Sequence, residues 1–435
     1  MPSLDLAAYP LEKLANQVGT PFFLMDGGEV RRRLTRLQAL TDAAELRRRL
    51  ARLTALTDGP ALQARYAMKA NSGWKVLETV RAAGLWIDAV SGNEVLRARR
   101  AGFPMGASPA VVMLTVDVLR DNALTAVLEH GVLPNVGSPG MIDELRGAGY
   151  RGPVALRVNP GFGHGHARKV STGGAASKHG IWHEELGARL EEARKAGLHV
   201  TGLHVHIGSG SDLENLMRVC DALRALAPLV GDTLETISSG GGLPIPYRED
   251  EQRIDVAKLV RTWQDARAAM QRDIGRDIAL EVEPGRYLVA ECGVLLTEVR
   301  ATKSSVEFDY ILVDAGFNNL VRPALYGAHH RISILGHGAR EPLTPKVVAG
   351  PLCESADVFT QGEGGELEPQ LLPAAREGDL ACIHDAGAYG ASMASNYNSQ
   401  PFAAEVMIAG GKRKLVRRRQ TIDELMSGET DSEVR

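Results

Sequence analysis

Residues 63–90, QARYAMKANSGWKVLETVRAAGLWIDAV, contain one complete copy of the pattern that decides the fold. A β-rich run, QARYAMKA (63–70), is followed by an amphipathic segment (72–84) and by a second β-rich run, LWIDAV (85–90). Strand-like runs that alternate with helix-length segments predict βαβ units and a parallel sheet. The architecture therefore depends on how often this unit recurs along the chain.

The unit recurs until residue 284. Eight β-rich runs can be identified, and helix-like sequence follows each of them except the last. The runs are QARYAMKA (63–70), LWIDAV (85–90), AVVML (110–114), VLPNV (132–136), VALRVN (154–159), HVTGLHVHI (199–207), LETISS (234–239) and IALEVEP (278–284). Eight βα units over about 220 residues predict a (β/α)8 TIM-like barrel.

After Arg286 the pattern changes to strand-like runs with little helix between them, which predicts an all-β domain. The expected fold class is thus α/β plus all-β, a TIM-like barrel with a C-terminal β-sandwich or β-barrel domain. TPFFLMD (20–26) predicts an early strand, and TIDE (421–424) predicts a capping box before a short final helix. The expected boundaries are an N-terminal segment that packs with the β domain (1–35), the barrel (36–290), the β domain (291–425) and a tail (426–435).

An arginine-rich near-repeat precedes the first barrel strand. RRRLTRLQALTD (31–42) recurs as RRRLARLTALTD (47–58), so the region resembles an insertion. A helix with its arginines in water is the simpler interpretation, and an arm that binds nucleic acid is the alternative.

The composition is that of an ordinary globular protein. The 435 residues include 50 Lys and Arg against 53 Asp and Glu, a balance that does not suggest nucleic-acid binding. Four scattered cysteines predict neither a disulfide framework nor a metal site. No signal peptide or membrane-spanning run is visible, so we expect a cytoplasmic protein with no membrane partner.

Polar residues directly follow several of the apolar β runs. In barrels of this type the functional groups lie at the carboxyl ends of the strands, so these residues are expected to face one mouth. They are Lys69, Asp88, Ser91, Asn135, Arg157, Asn159, His204, His206, Gly240, Gly241, Gly242, Glu283 and Arg286. Each one taken singly is also compatible with a solvated rim residue or a hydrogen-bonded filler.

SSGGGLP (238–244) follows the seventh run, and EPGR (283–286) follows the eighth. TIM-type barrels often bind phosphate at these two places, because backbone N–H groups there approach an anion closely. A flexible turn is the alternative for the glycine run. A lysine, a carboxylate and a phosphate loop in one mouth predict pyridoxal 5'-phosphate, with Lys69 as the Schiff-base lysine and Glu283 at the pyridine nitrogen.

Eight ordered motifs resemble those of the diaminopimelate decarboxylase family, within the alanine-racemase-like pyridoxal-phosphate decarboxylases. The motifs are YAMKAN (66–71), RVNPGFGHGH (157–166), GLHVHIGSG (202–210), SSGGGLPIPY (238–247), EVEPGRYLVA (281–290), VDAGFNNLVRPALYG (313–327), VAGPLCESADVFT (348–360) and HDAGAYGASMASNYN (384–398). The resemblance extends from about residue 18 to about residue 425. It implies decarboxylation of meso-2,6-diaminopimelate at the D-centre to L-lysine and carbon dioxide, the last step of lysine biosynthesis.

The resemblance also implies a set of residues around the cofactor. Lys69 matches the Schiff-base lysine, Glu283 matches the carboxylate on the pyridine nitrogen, and His206 matches the imidazole that stacks on the ring. Asp88 and Arg157 match positions near the lysine and the ring. The residues that match the phosphate site are Ser209, Gly240, Gly241, Gly242, Gly285, Arg286 and Tyr389.

For the substrate, the resemblance implies a clamp on the distal carboxylate by Arg286, Arg322, Tyr326 and Tyr389. A planar guanidinium suits such bidentate pairing. Cys353 and Glu354 match residues that the partner subunit of a head-to-tail homodimer supplies. The cysteine is then the proton donor to the carbanion, and the glutamate holds the distal ammonium.

Three other functions stay open at this point. The chain is also compatible with a decarboxylase of ornithine, arginine or carboxynorspermidine, with a silent regulator that binds the cofactor, or with a nucleic-acid binder that uses the arginine-rich repeat. Gln400 stands where relatives usually have arginine, which leaves one local contact near the C-terminal domain open.

Overall fold

The computed structural model of the protein describes most of the chain. The described residues are 11–26, 62–120, 122–165, 171–335, 342–409 and 412–431. The arginine-rich repeat (31–58) lies outside them. No helix within these ranges is both long enough and apolar enough to cross a membrane.

The chain divides into two compact units. Within the described ranges, the first unit comprises 62–245 and 252–287, and the second comprises 11–26, 246–251 and 288–431. Helix α1 (Leu11–Val18) and strand β1 (Phe22–Asp26) precede the first unit along the chain but belong to the second. The sequence-based domain boundaries stay predictions.

The first unit is the predicted barrel. Its eight parallel strands are β2 (Gln63–Ala67), β3 (Trp86–Ala89), β4 (Val112–Val116), β5 (Leu133–Val136), β6 (Pro153–Asn159), β8 (His199–Val205), β9 (Thr236–Ser238) and β10 (Ala279–Val282). They pair in this order, and β10 closes the ring on β2, which confirms the (β/α)8 prediction. A two-residue strand, β7 (Ile181–Trp182), pairs with β6 outside the ring.

A helix follows each of the eight strands of the ring, whereas the alternating pattern predicts one after every strand except the last. These helices are α2 (Trp74–Ala82), α3 (Gly92–Arg100), α4 (Ala123–His130), α5 (Pro139–Gly147), α6 (Leu186–Lys195), α7 (Leu213–Val230), α8 (Val256–Ile274) and α9 (Arg286–Val289). Three begin at a polar cap, since Ser91, Asp212 and Asp255 each accept a hydrogen bond from the backbone N–H three residues later. Local sequence therefore sets where these helices begin.

A buried ion pair lies where the ring closes. Arg65 on β2 donates from Nε and Nη2 to the two carboxylate oxygens of Glu281 on β10, at 2.7 and 2.8 Å. The same guanidinium lies over the Trp86 ring and donates to the carbonyls of Ala110 and Val111, just before β4. One arginine thus ties the last strand to the first three.

The second unit is mostly sheet, as predicted for the C-terminal part. Its strands after β1 are β11 (Gly293–Ser304), β12 (Asp309–Val313), β13 (Ile332–Ile334), β14 (Thr344–Ala349), β15 (Gln370–Leu372), β16 (Leu380–Ile383), β17 (Ala404–Ala409) and β18 (Lys412–Arg417). Two short helices, α10 (Arg322–Tyr326) and α11 (Ile422–Met426), complete it. Thr421 and Glu424 form the predicted capping box of α11.

Strand β1 lies inside this sheet, antiparallel to β11 and parallel to β17. Phe22 and Leu24 pack into one apolar cluster with residues of α1, and Phe23 packs into a second cluster. A strand covered on both faces needs a continuous apolar run, which explains the sequence FFLM (22–25). Helix α1, which the sequence analysis did not predict, contributes Leu11 and Leu14 to the first cluster.

Replacement of Glu281 tests the closure of the barrel. We expect Glu281→Gln to lower the free energy of unfolding by about 3–5 kcal/mol, because it leaves the buried Arg65 charge uncompensated. Denaturant titration measures the loss. Asp143→Asn is the matched control, since it breaks an exposed pair with Arg146 that contributes about 0–1 kcal/mol. A loss below about 1 kcal/mol for Glu281→Gln would contradict the role of the pair.

Candidate active site

The turn that bears Lys69 leaves the carboxyl end of β2. Met68–Ala70 form one turn of 3-10 helix, with Met68 and Ala70 buried and Lys69 exposed. The Tyr66 hydroxyl donates to the carbonyl of Asn71 at 2.9 Å, and the Asn71 side chain accepts from the N–H of Gly73 at 3.0 Å. These two hydrogen bonds therefore fix the turn, and Lys69 lies at the carboxyl end of the barrel strands.

The carboxylate of Glu283 lies next to this turn along the ring, because β10 pairs with β2. Its Oε2 lies 2.9 Å from His204 Nε2, and its Oε1 accepts from the Ser238 hydroxyl at 2.9 Å. Ser238 in turn accepts from the N–H of Gly240 at 3.1 Å. Both carboxylate oxygens are thus bound, and Glu283 itself is only 5% exposed.

The two buried carboxyl groups of the mouth have opposite protonation preferences. Burial raises the pKa of Glu283, but the charge of His204 and the hydrogen bonds from His204 and Ser238 outweigh it and lower the pKa to about 2. Burial and the neighbouring Glu283 charge raise the pKa of Asp88 well above its usual range. Asp88 Oδ1 has no hydrogen-bond partner among the described residues. One fixed negative charge therefore lies here, at Glu283.

His206 is a neutral imidazole. Its Nδ1 accepts a hydrogen bond from the N–H of Gly241 at 3.2 Å, so the ring proton lies on Nε2. Burial, followed by the charges of Lys69 and Arg157, lowers the pKa of His206 well below its usual range. The Thr172 hydroxyl donates to the His206 carbonyl at 3.1 Å and fixes the backbone.

The glycine run that follows β9, Gly240–Gly242, has no room for side chains. A Cβ on Gly240 would lie 2.7 Å from His206 Cβ, and one on Gly241 would lie 2.6 Å from the Glu283 carbonyl oxygen. Gly242 has φ +104°, which an L side chain rarely adopts. The run therefore forms a wall without side chains, which we call the glycine wall, packed against His206 and Glu283.

This wall and its neighbours fit pyridoxal phosphate. Gly285, in the loop after β10, packs against Ala67 and Ala70, so the eighth-strand loop touches the turn that bears Lys69. The N–H groups of Gly240 and Gly241 already donate to Ser238 and His206, so these two glycines would serve a phosphate by their lack of side chains rather than by their amides.

The remaining predicted cofactor residues of the barrel are Arg157, Ser209 and Arg286. Arg157 lies on β6 and is 8% exposed, and Arg286 begins α9 and is 7% exposed. Ser209 follows β8 in the loop that leads to α7 and is half-buried.

Five predicted residues belong to the second unit. Arg322 begins α10 and is buried, whereas Tyr326 ends that helix and is half-buried. Cys353 and Glu354 lie on an exposed loop after β14, and Tyr389 is half-buried with φ +61°. Such a φ is rare for a non-glycine residue and is common at functional sites.

Sequence reasoning missed several partners of the site. His204 was identified only as a strand-end residue and Ser238 only as the first residue of the SSGGGLP run, although the H-x-H spacing places His204 on the same side of the extended chain as His206. Asp117 and His179 were not identified at all. His179 Nδ1 lies 2.5 Å from Asp117 Oδ2, and the N–H of Gly180 donates to Asp117 Oδ1. This pair fixes the loop after β6 against the end of β4.

Comparisons with known proteins agree with this geometry. Residues 43–290 match the family described as pyridoxal-dependent decarboxylase, pyridoxal binding domain. The diaminopimelate decarboxylase of Streptomyces coelicolor is 43% identical over 424 residues, 97% of this chain and 92% of that protein. A crystal structure of a diaminopimelate decarboxylase matches with a TM-score of 0.87 at 42% identity, over 96% of this chain and 95% of that one. The Helicobacter pylori diaminopimelate decarboxylase complexed with L-lysine matches at 28% identity with a TM-score of 0.81, over 96% of this chain and 98% of that one.

The raised pKa of Asp88 gives a pH-dependent prediction. Because the folded state holds this proton more tightly than the unfolded state, the group lowers stability as the pH rises above the unfolded pKa. Asp88→Asn removes that effect, so its stability relative to the parent should grow with pH, by at most about 1.4 kcal/mol per pH unit. Urea titrations between about pH 5 and 8 measure the difference.

Asp265→Asn, at an exposed position on α8, is the control for a loss of charge alone. A stability difference for Asp88→Asn that is the same at every pH would contradict a protonated Asp88.

Proposed function

The chain belongs to the diaminopimelate decarboxylases among the pyridoxal-dependent decarboxylases, and from this premise we propose how its residues act in the reaction. The protein removes carbon dioxide from diaminopimelate to give lysine, with pyridoxal 5'-phosphate as cofactor. The observation that carries the proposed residue roles is the position of the buried Glu283 carboxylate. His204 and Ser238 bind it, and it directly follows β10, which pairs with the strand that precedes Lys69.

The barrel residues hold and tune the cofactor. When bound, pyridoxal phosphate supplies an electron sink for the pair left by the departing carbon dioxide. Lys69 Nζ would provide the amine that attaches it. Glu283, which stays ionised, would keep a proton on the pyridine nitrogen, and neutral His206 would offer an uncharged face to the ring. Because Asp88 favours its protonated form, it adds no second negative charge beside Glu283.

The glycine wall would face the phosphate of the cofactor. Gly240, Gly241 and Gly242 would leave room for it, and Ser209, Gly285, Arg286 and Tyr389 would donate to it. Arg157 lies close enough to lower the pKa of His206 through its charge, which supports a place for it beside the ring.

The distal end of the substrate sets the specificity. Arg322 binds the distal carboxylate, with Arg286, Tyr326 and Tyr389 around it, and Glu354 binds the distal ammonium. A clamp on the L-end presents the D-centre for loss of its carboxyl group. Ornithine lacks the distal carboxylate, so the same clamp offers it nothing.

Cys353 and Glu354 act in the partner's site of a head-to-tail homodimer. Cys353 Sγ delivers the proton to the carbon that has lost its carboxyl group. Their exposure supports this role, and their loop is well braced. The N–H of Cys353 donates to Asn398 at 2.9 Å, and the N–H of Leu352 donates to Asp357 at 2.7 Å.

The proposed compartment is the cytoplasm. None of the four cysteines forms a disulfide, and Cys220, Cys292 and Cys382 are buried. Free thiols are the usual state in a reducing compartment.

Release of carbon dioxide from purified protein tests the activity. We expect turnover of meso-diaminopimelate in preference to ornithine and arginine, and a dependence on added pyridoxal phosphate. Lys69→Ala should lower kcat by about 10³-fold or more, with loss of the visible cofactor band. Lys195→Ala, at an exposed position on α6, should leave kcat unchanged. A preference for ornithine would overturn the assignment of the substrate.

Mixing two inactive variants tests the shared site. Lys69→Ala and Cys353→Ala each disable one component of the same site, so each homodimer should be nearly inactive. If Cys353 acts in the partner's site, mixed dimers regain one complete site and the mixture recovers about one quarter of the parental activity. Recovery measured after subunit exchange should be absent when Lys69→Ala is mixed with Glu283→Gln. No recovery in the first mixture would place Cys353 in its own subunit's site.

A further inference from the structure

A buried imidazole lies against the side chain of Arg322. Arg322 Nη1 and His330 Nε2 are 2.6 Å apart, and the two residues are 1% and 0% exposed. On its other side the ring meets the backbone, with His330 Nδ1 2.7 Å from the His384 carbonyl oxygen. The imidazole therefore bridges a guanidinium and the end of β16.

The partners of this ring fix its proton. A guanidinium has donors only and a carbonyl oxygen only accepts, so Nε2 must carry a lone pair and Nδ1 must carry the hydrogen. His330 is consequently neutral and restricted to one tautomer. A proton on Nε2 would remove the acceptor that Arg322 uses.

The ring and the guanidinium are also fixed from other directions. Gln370 Nε2 donates to the His330 carbonyl at 2.8 Å, and Gln370 Oε1 accepts from the N–H of Ile332 at 3.0 Å. The Tyr247 ring lies 4.6 Å from the Arg322 guanidinium carbon and meets the His330 ring edge-on at 5.3 Å. The Tyr247 ring thus fixes the plane of the Arg322 guanidinium, and His330 fixes the direction of its Nη1, before any ligand binds.

We propose that His330 is a positioning residue that aims Arg322 at the distal carboxylate of the substrate. A long arginine side chain has many rotamers, and bidentate pairing requires its planar fork to be oriented. With Nη1 bound to a fixed neutral acceptor, the guanidinium keeps its charge, and its orientation is set in advance. This inference rests on the proposed role of Arg322 in the substrate clamp.

Two conservative variants separate the two hydrogen bonds of the ring. In His330→Gln the side-chain oxygen reaches the position of Nε2 and still accepts from Arg322. In His330→Asn the side-chain nitrogen reaches the position of Nδ1 and still donates to His384, but the side chain no longer accepts a hydrogen bond from Arg322. The two variants have the same polar group and differ in which hydrogen bond they keep, the one with Arg322 or the one with His384.

Binding of two ligands to the holoenzyme then measures the contribution of the distal carboxylate alone. L-lysine retains the distal carboxylate, whereas 1,5-diaminopentane is the same molecule without it. Binding of each is followed by the change in the visible absorbance of the cofactor. We expect His330→Asn to weaken lysine about tenfold or more and to raise KM for diaminopimelate more than it lowers kcat, with 1,5-diaminopentane unchanged. His330→Gln should keep lysine within about threefold of the parent.

Arg322→Gln, measured alongside, distinguishes the two proposals. If it leaves lysine binding unchanged, the assignment of Arg322 to the clamp fails, and the role of His330 fails with it. If it weakens lysine while both His330 variants bind like the parent, the positioning role alone is overturned. Equal losses for both His330 variants and for both ligands, with a lowered Tm, would also overturn it, because that is the result of a merely structural role.

Discussion

Closure of the barrel by the Arg65–Glu281 pair is the constraint on which the site depends. Lys69 and Glu283 are more than two hundred residues apart in sequence and become neighbours only because β10 pairs with β2. The ion pair spans that same junction, with each partner almost fully buried and with the guanidinium also bound to the carbonyls before β4. A change in the register of these two strands would move Glu283 relative to Lys69 and separate the two groups that we propose bind the cofactor.

Two buried carboxyl groups lie at the mouth of this closed ring, and only Glu283 carries a negative charge. Glu283 keeps its charge because two donors, His204 and Ser238, bind its two oxygens. That charge is itself a cause of the raised pKa of Asp88, since two buried carboxylates at close range cannot both ionise cheaply. The surroundings of Glu283 and Asp88, rather than their residue types, therefore determine which of the two carboxyl groups is charged. Ser238 also connects this carboxylate to the start of the glycine wall, because its hydroxyl accepts a hydrogen bond from the N–H of Gly240.

Features that repeat along the sequence were predictable, and features that depend on long-range contacts were not. The βα alternation recurs eight times, so it determined the barrel, and the capping box TIDE located the last helix from four residues. Strand β1 was predicted as a strand, but its place between β11 and β17 depends on partners hundreds of residues away. The Asp117–His179 contact joins residues 62 positions apart without a motif. His330 is only eight positions from Arg322, yet it lies in irregular backbone where no periodicity indicates which side chains meet.

Three histidines of this chain are kept neutral by the same arrangement of hydrogen bonds. His206, His330 and His384 each place one ring nitrogen opposite a group that only donates: the N–H of Gly241, the Arg322 guanidinium and the Arg331 guanidinium. A ring in that position has to supply a lone pair and so stays neutral, and burial together with the Arg331 charge lowers the pKa of His384 to about 3. An acidic residue would also accept from an arginine, but its charge would neutralise the guanidinium. At Arg322 a neutral imidazole orients the cation and leaves its charge available, which is what the proposed carboxylate site requires.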